Sequence, residues 1–146
     1  MLERLRRLLP GLWAGVLLCI AAIAAPAAFA LLERPVAGQV VGWFFQREAW
    51  MSIGLAVALL AIERSRARAA AAAGDGSVLS TEILLLLGTV FCTVAGYFAL
   101  QPLMAAARAG QGALSFGQLH FISVGFFGAK LLCILALAWR AAGARR

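Results

Sequence analysis

The chain has 146 residues, of which 64% are hydrophobic and only 13% charged, where an ordinary soluble domain carries roughly a quarter charged residues. So few polar side chains cannot cover the surface of a water-soluble core, and the balance belongs in lipid. The net charge of +7 does not point to a nucleic-acid partner, because the basic residues stand in short clusters beside apolar stretches rather than along one face of a polar domain.

The chain opens on a basic segment with Arg4, Arg6 and Arg7, and residues 11–32 then carry no charge. That run is long enough for a helix to cross roughly 30 Å of hydrocarbon. Pro26 lies inside this first span and predicts a kink, which neighbouring helices in a membrane tolerate. A rival reading is a secretory signal peptide cleaved after Ala28-Phe29-Ala30. The uncharged run exceeds the roughly 7–15 residues of a signal core, so the anchor reading is preferred.

Residues 33–46 mix Pro35, Gly38, Gln39 and Gly42 with aromatic residues and read as an interfacial segment. The second span is placed at 43–62. Its strictly apolar part, 49–62, covers only about 21 Å as helix, so it needs Trp43 to Phe45 and a snorkelling Arg47. Residues 63–80 hold Arg64, Arg66 and Arg68, then Gly74, Asp75 and Gly76, and read as a basic flexible loop. Ser80 is placed to cap the next helix, with Glu82 in its first turn. The third span is 83–104. Gly110, Gly112 and Gly117 mark a turn before the fourth, 119–139, which ends in a basic tail from Arg140 to Arg146. Trp13, Trp43, Trp50 and Trp139 fall near span ends, where aromatic residues anchor at headgroup level.

The expected fold is therefore all-α: one integral membrane domain, a four-helix bundle. Three basic clusters, at Arg4 to Arg7, Arg64 to Arg68 and Arg140 to Arg146, alternate with connections holding only the scattered Arg34, Arg47 and Arg108. An even number of crossings between clusters puts all three on one side, which predicts cytoplasmic N- and C-termini.

Candidate functional residues are few. Gly88, Cys92 and Gly96 repeat at four-residue spacing, a small-residue stripe expected at a helix–helix interface. Four spans folded this way bring Glu33, Arg34, Arg47, Glu48, Gln101, Arg108, Gln118 and His120 to the non-cytoplasmic ends of the helices. Such a cluster can bind an ion or polar solute, or serve as ordinary interfacial polarity. His120 is the sole histidine and the one imidazole available to a metal or haem. Lys130 sits near the middle of the fourth span, where snorkelling would have to cover about 14 Å of helix. Burial against partner groups or a water-filled cleft is expected there instead. The cysteines Cys19, Cys92 and Cys133 lack metal-ligand spacing and read as small apolar residues. No P-loop, His-x-x-x-His, Cys-x-x-Cys or Gly-x-Ser-x-Gly pattern occurs, so neither catalysis nor a cofactor is expected.

Two stretches carry a family resemblance. Ala25-Pro26-Ala27-Ala28-Phe29 is followed by the run from Pro35 to Phe45, and later Phe116 to Val124 contains Leu119-His120-Phe121-Ile122-Ser123-Val124. They resemble the transmembrane-protein-205-like family, known in bacteria as domain of unknown function 4149. The resemblance implies a four-helix membrane protein without an established biochemical activity, with eukaryotic relatives linked to drug tolerance and vesicle traffic. Many members carry an asparagine shortly after the Leu-His pair; Phe121 to Ala129 has none.

Three functions are open at this point. The first is a non-enzymatic component of a bacterial inner membrane, packing through the stripe against itself or another membrane protein. The second is a small-solute or ion permease component using Lys130 and the outer polar cluster. The third is metal or haem binding through His120.

Overall fold

The computed structural model describes residues 2–143, so Arg145 and Arg146 of the last basic cluster lie outside the described residues. Four helices are long and apolar enough to cross a membrane: α1 (Leu2–Leu31), α2 (Arg34–Ala72), α3 (Thr81–Arg108) and α4 (Phe116–Gly143). Among the described residues there is no strand.

The largest difference from the sequence reading is α2. Its helix starts at Arg34, inside the stretch read as interfacial, and runs on through 63–72, where a loop was expected. Glu33 is extended and Pro35 sits in the first turn, where its missing N–H leaves no helical bond unmade. The alanine run 69–73 then favours helix over loop. Gly74 stops it with φ 78°, and Asp75 N–H donates to the Ala70 carbonyl at 2.9 Å. The end of α3 repeats the device, with Gly110 at φ 74° and Gln111 N–H donating to the Ala106 carbonyl at 2.9 Å. A glycine in the left-handed region is what lets each chain reverse onto its own last carbonyls.

Ser80 caps α3 as expected, its hydroxyl accepting from Ile83 N–H at 3.4 Å. Two helices carry π-helical turns, Ile20–Ala24 in α1 and Val94–Ala99 in α3. The first comes just before Pro26, whose ring and missing N–H disrupt the regular bonding register there.

Helices adjacent in the chain pack on one another, and α4 closes the ring on α1, leaving α1 opposite α3 and α2 opposite α4. Ion pairs fix which ends lie together. Arg6 of α1 meets Glu63 of α2 at 3.5 Å, and Glu82 of α3 meets Arg140 of α4 at 2.8 Å. The start of α1, the end of α2, the start of α3 and the end of α4 thus share one basic end. The connections 32–33 and 109–115 share the other, the turn end.

The core lies in the basic-end half. Trp13, Ala14 and Leu17 of α1 pack with Ala56 and Leu59 of α2, Leu86 of α3, and Ile134 and Leu137 of α4. Toward the turn end the buried apolar residues thin to Leu100, Met104 and Leu119 between α3 and α4, with Ala28 and Ala37 on α1 and α2.

The small-residue stripe lies at a helix interface within the chain. A Cβ on Gly88 would stand 3.5 Å from Cys133 Sγ, and one on Gly96 would collide with Phe126 Cβ. Ser123 of α4 donates its hydroxyl to the Gly96 carbonyl at 2.8 Å. The stripe therefore seats α4 closely on α3.

Candidate functional site

Where the core thins, the four helices surround a cavity of about 940 Å³. Its innermost lining residues are Ala21 of α1, Glu48 of α2, Cys92 and Thr93 of α3 and Lys130 of α4; its outermost include Arg34, Arg108, Phe116 and His120. The site is an open vestibule in the turn-end half of the bundle.

Its floor is an ion pair. Lys130 Nζ donates to both carboxylate oxygens of Glu48 at 2.8 Å, joining α2 to α4 across the bundle. Both residues are only 3% exposed. Ser52 lies one turn beyond Glu48 on the same face of α2 and donates its hydroxyl to Glu48 Oε1. Trp13 Nε1–H of α1 donates to Ser52 Oγ at 3.0 Å. The ammonium also lies 4.9 Å from the Phe127 ring centroid. Three helices thus contribute to one satisfied polar chain, and no buried side-chain nitrogen or oxygen among the described residues lacks a partner. Such satisfaction is what makes a buried charge pair tolerable in a low-dielectric interior.

The rim has a different character. The Arg108 guanidinium sits 4.5 Å over the Phe116 ring, and Phe116 stacks on His120 with centroids 5.8 Å apart and planes 14° apart. Among the described residues neither Arg34 nor Arg108 pairs with a carboxylate. With Glu48 and Lys130 neutralising each other, these two arginines carry the uncompensated charge of the lining.

The residues singled out from sequence divide. His120 and Gln101 line the outer cavity and Lys130 its floor. Glu48, expected at the outer ends of the helices, instead lies deep, as the partner of Lys130. The physical reason is that a carboxylate paired with a buried ammonium can sit inside a span rather than at its end. Arg47 does not line the cavity; it is exposed on the outside of α2 with its guanidinium 5.2 Å from the Trp43 ring centroid. Glu33 is exposed just before α2. Gln118 is occupied in the first turn of α4, where its side-chain oxygen accepts from Ser115 N–H at 2.9 Å. Among the described residues no three His, Cys, Asp or Glu side chains converge as metal ligands.

Sequence reasoning missed Ser52, and it places Trp13 at headgroup level, whereas Trp13 is 1% exposed inside the core because its indole N–H is taken up by Ser52. The available signal was Glu48 and Ser52 four residues apart on one helix face, with one opposite charge, Lys130, inside another span.

The basic end is closed by a second network. Arg6, 6% exposed, donates to Glu3 at 2.9 Å as well as reaching Glu63, and Arg66 lies 3.6 Å from Glu3. The vestibule therefore has one open end and one sealed end.

Comparison with known proteins bears on this architecture. A family profile described as Domain of unknown function (DUF4149) matches residues 8–113, which take in most of α1 and all of α2 and α3. Trp13, Glu48 and Ser52 fall inside that match, whereas Lys130 and the Leu119-His120 motif lie beyond it. No curated protein and no solved structure matches the chain. The likeness to transmembrane-protein-205-like proteins rests on the sequence motifs alone. With most of its length matched, the chain, with its four helices long and apolar enough to cross a membrane, belongs to the DUF4149 family.

Proposed function

We propose that this is an integral protein of the bacterial inner membrane that binds a small molecule in the turn-end vestibule, without catalysis of its own, as the binding unit of a permease. The observation that carries this reading is the cavity itself: about 940 Å³, within the roughly 300–1,000 Å³ usual for ligand sites, and floored by a polar chain already satisfied without a ligand. The basic clusters support a reading with both termini in the cytoplasm, and on that reading the vestibule faces the opposite side of the membrane. The packed basic-end half seals it inward. α1 is taken as a retained span, since Trp13 and Leu17 belong to the core. The small-residue stripe gives no support to pairing between copies, because α4 of the same chain covers Gly88 and Gly96 and Cys92 faces the cavity.

The test uses Gly42, which lines the cavity and has no heavy atom within 4 Å of where a Cβ would stand. Protein extracted directly from membranes into nanodiscs is analysed by mass spectrometry for bound small molecules, wild type beside Gly42→Leu. A co-purifying molecule present in the wild type and lost from the folded variant supports the reading. The same molecular content in both proteins overturns it.

A further inference from the structure

We propose that the vestibule takes a single-chain anionic amphiphile, its acidic head held at the rim by Arg34 and Arg108 and its apolar tail lying along the cavity toward Lys130. This rests on the reading of the cavity as a binding site and names the ligand class.

Three independent features converge on it. The walls between rim and floor are mainly apolar and aromatic, with Phe29, Val41, Phe45, Met104, Val124 and Phe127 outweighing the polar Gln39, Gln101 and Ser123. A small polar solute would leave that surface uncovered, whereas an alkyl tail removes it from water at roughly 25 cal/mol per Å². The second feature is charge placement. The floor pair is internally neutral, and Arg34 and Arg108, the first residue of α2 and the last of α3, stand at helix ends where a membrane protein meets the headgroup layer. An anionic head at the rim is attracted there and a cationic one is repelled.

The third feature is access. Trp13, Ala14 and Leu17 hold the first part of α1 in the core beside α4. From Ile20 onward α1 packs mainly on α2, and Phe29 is 52% exposed. The cavity is thus open between α1 and α4 along the side that faces lipid. An amphiphile reaches it from within the bilayer, tail first, without crossing water. The helical distance from His120 at the rim to Lys130 at the floor is about 15 Å, which suits an extended chain rather than a compact solute.

The experiment uses purified full-length protein in nanodiscs of zwitterionic lipid. A fluorescent long-chain carboxylate is the probe, displaced by three tail-matched competitors: an alkyl carboxylate, an alkyl trimethylammonium and an alkyl alcohol. The expected result is displacement by the carboxylate at a concentration at least tenfold below the other two. Probe affinity should fall tenfold or more in Arg34→Gln/Arg108→Gln, and binding should be lost in Gly42→Leu. Retained thermal unfolding transitions establish that each variant is folded. Competition blind to the headgroup, or unchanged affinity in the arginine variant, overturns the anion preference while loss in Gly42→Leu still upholds the cavity. Binding that survives Gly42→Leu overturns both. Absence of saturable binding by any amphiphile overturns the ligand class.

Discussion

Toward the basic end, Trp13, Leu17, Leu59, Leu86 and Ile134 fill the space between the helices; toward the turn end, the same four helices stand around about 940 Å³ of cavity. The change occurs just past the Glu48–Lys130 pair. Two opposite helices carry π-helical turns on its turn-end side, Ile20–Ala24 in α1 and Val94–Ala99 in α3. The other two opposite helices are tied by Glu48 and Lys130. π-turns re-aim a helix without ending it and recur at functional sites. The comparison teaches that the packed half carries the stability, so the open half is free to hold a ligand and still keep its shape.

Breaking the pair at the boundary should have the largest effect. Lys130→Met leaves Glu48 buried without its partner, and we expect a loss of about 3–5 kcal/mol, read as a lowered thermal unfolding midpoint in detergent. Glu48→Leu/Lys130→Met should recover most of that loss, because two apolar side chains in place of a buried pair are often neutral. A double variant as unstable as the single one would assign the pair a role that charge removal does not explain.

The two halves should also differ under truncation and enlargement. Leu17→Ala in the packed half should cost about 2–5 kcal/mol in the same assay, whereas Phe29→Ala in the open half should fall within about 0.5 kcal/mol. Equal costs would mean that the turn-end half is packed in solution. Glycines give the converse test. Gly96→Leu drives a side chain into Phe126 and should cost about 1–3 kcal/mol. Gly42→Leu meets open space and should be neutral or stabilising by up to about 1 kcal/mol, since glycine is a poor helix residue.

The smallest effect belongs to the surface. Arg140→Gln removes the pairing with Glu82, in which the arginine side chain is 48% exposed. The expected change is about 0–1 kcal/mol, shrinking further in high salt. A larger, salt-insensitive loss would show that this pair helps to seal the basic end.

Hydropathy and charge made the four spans legible, and glycine with small polar residues marked two of the three reversals, because those properties act along the chain itself. The stripe of Gly88, Cys92 and Gly96 was legible as an interface but not as one with α4, since a close-packing surface does not name its partner. The site was least legible. Pairing Glu48 with Lys130, 82 residues apart, depends on the register and rotation of two helices that face each other across the ring. Glu48 is assigned to the outer polar cluster from sequence because an unpaired carboxylate belongs near a helix end. The length of α2 is hidden because the mixed polarity of 33–46 and the charges and glycines of 63–80 read as interface and loop, and the π-turn in α3 leaves no compositional trace.

The most direct test of the vestibule uses the native cysteines. Cys92 lines the cavity near its floor, whereas Cys133 does not line it and lies beside Gly88. In nanodiscs, a water-soluble maleimide should label Cys92 in Cys19→Ala/Cys133→Ala, and labelling should slow at least tenfold when Gly42→Leu is added. Cys133 in Cys19→Ala/Cys92→Ala should resist it. Equal labelling of the two cysteines, or a Cys92 rate indifferent to Gly42→Leu, would contradict the account.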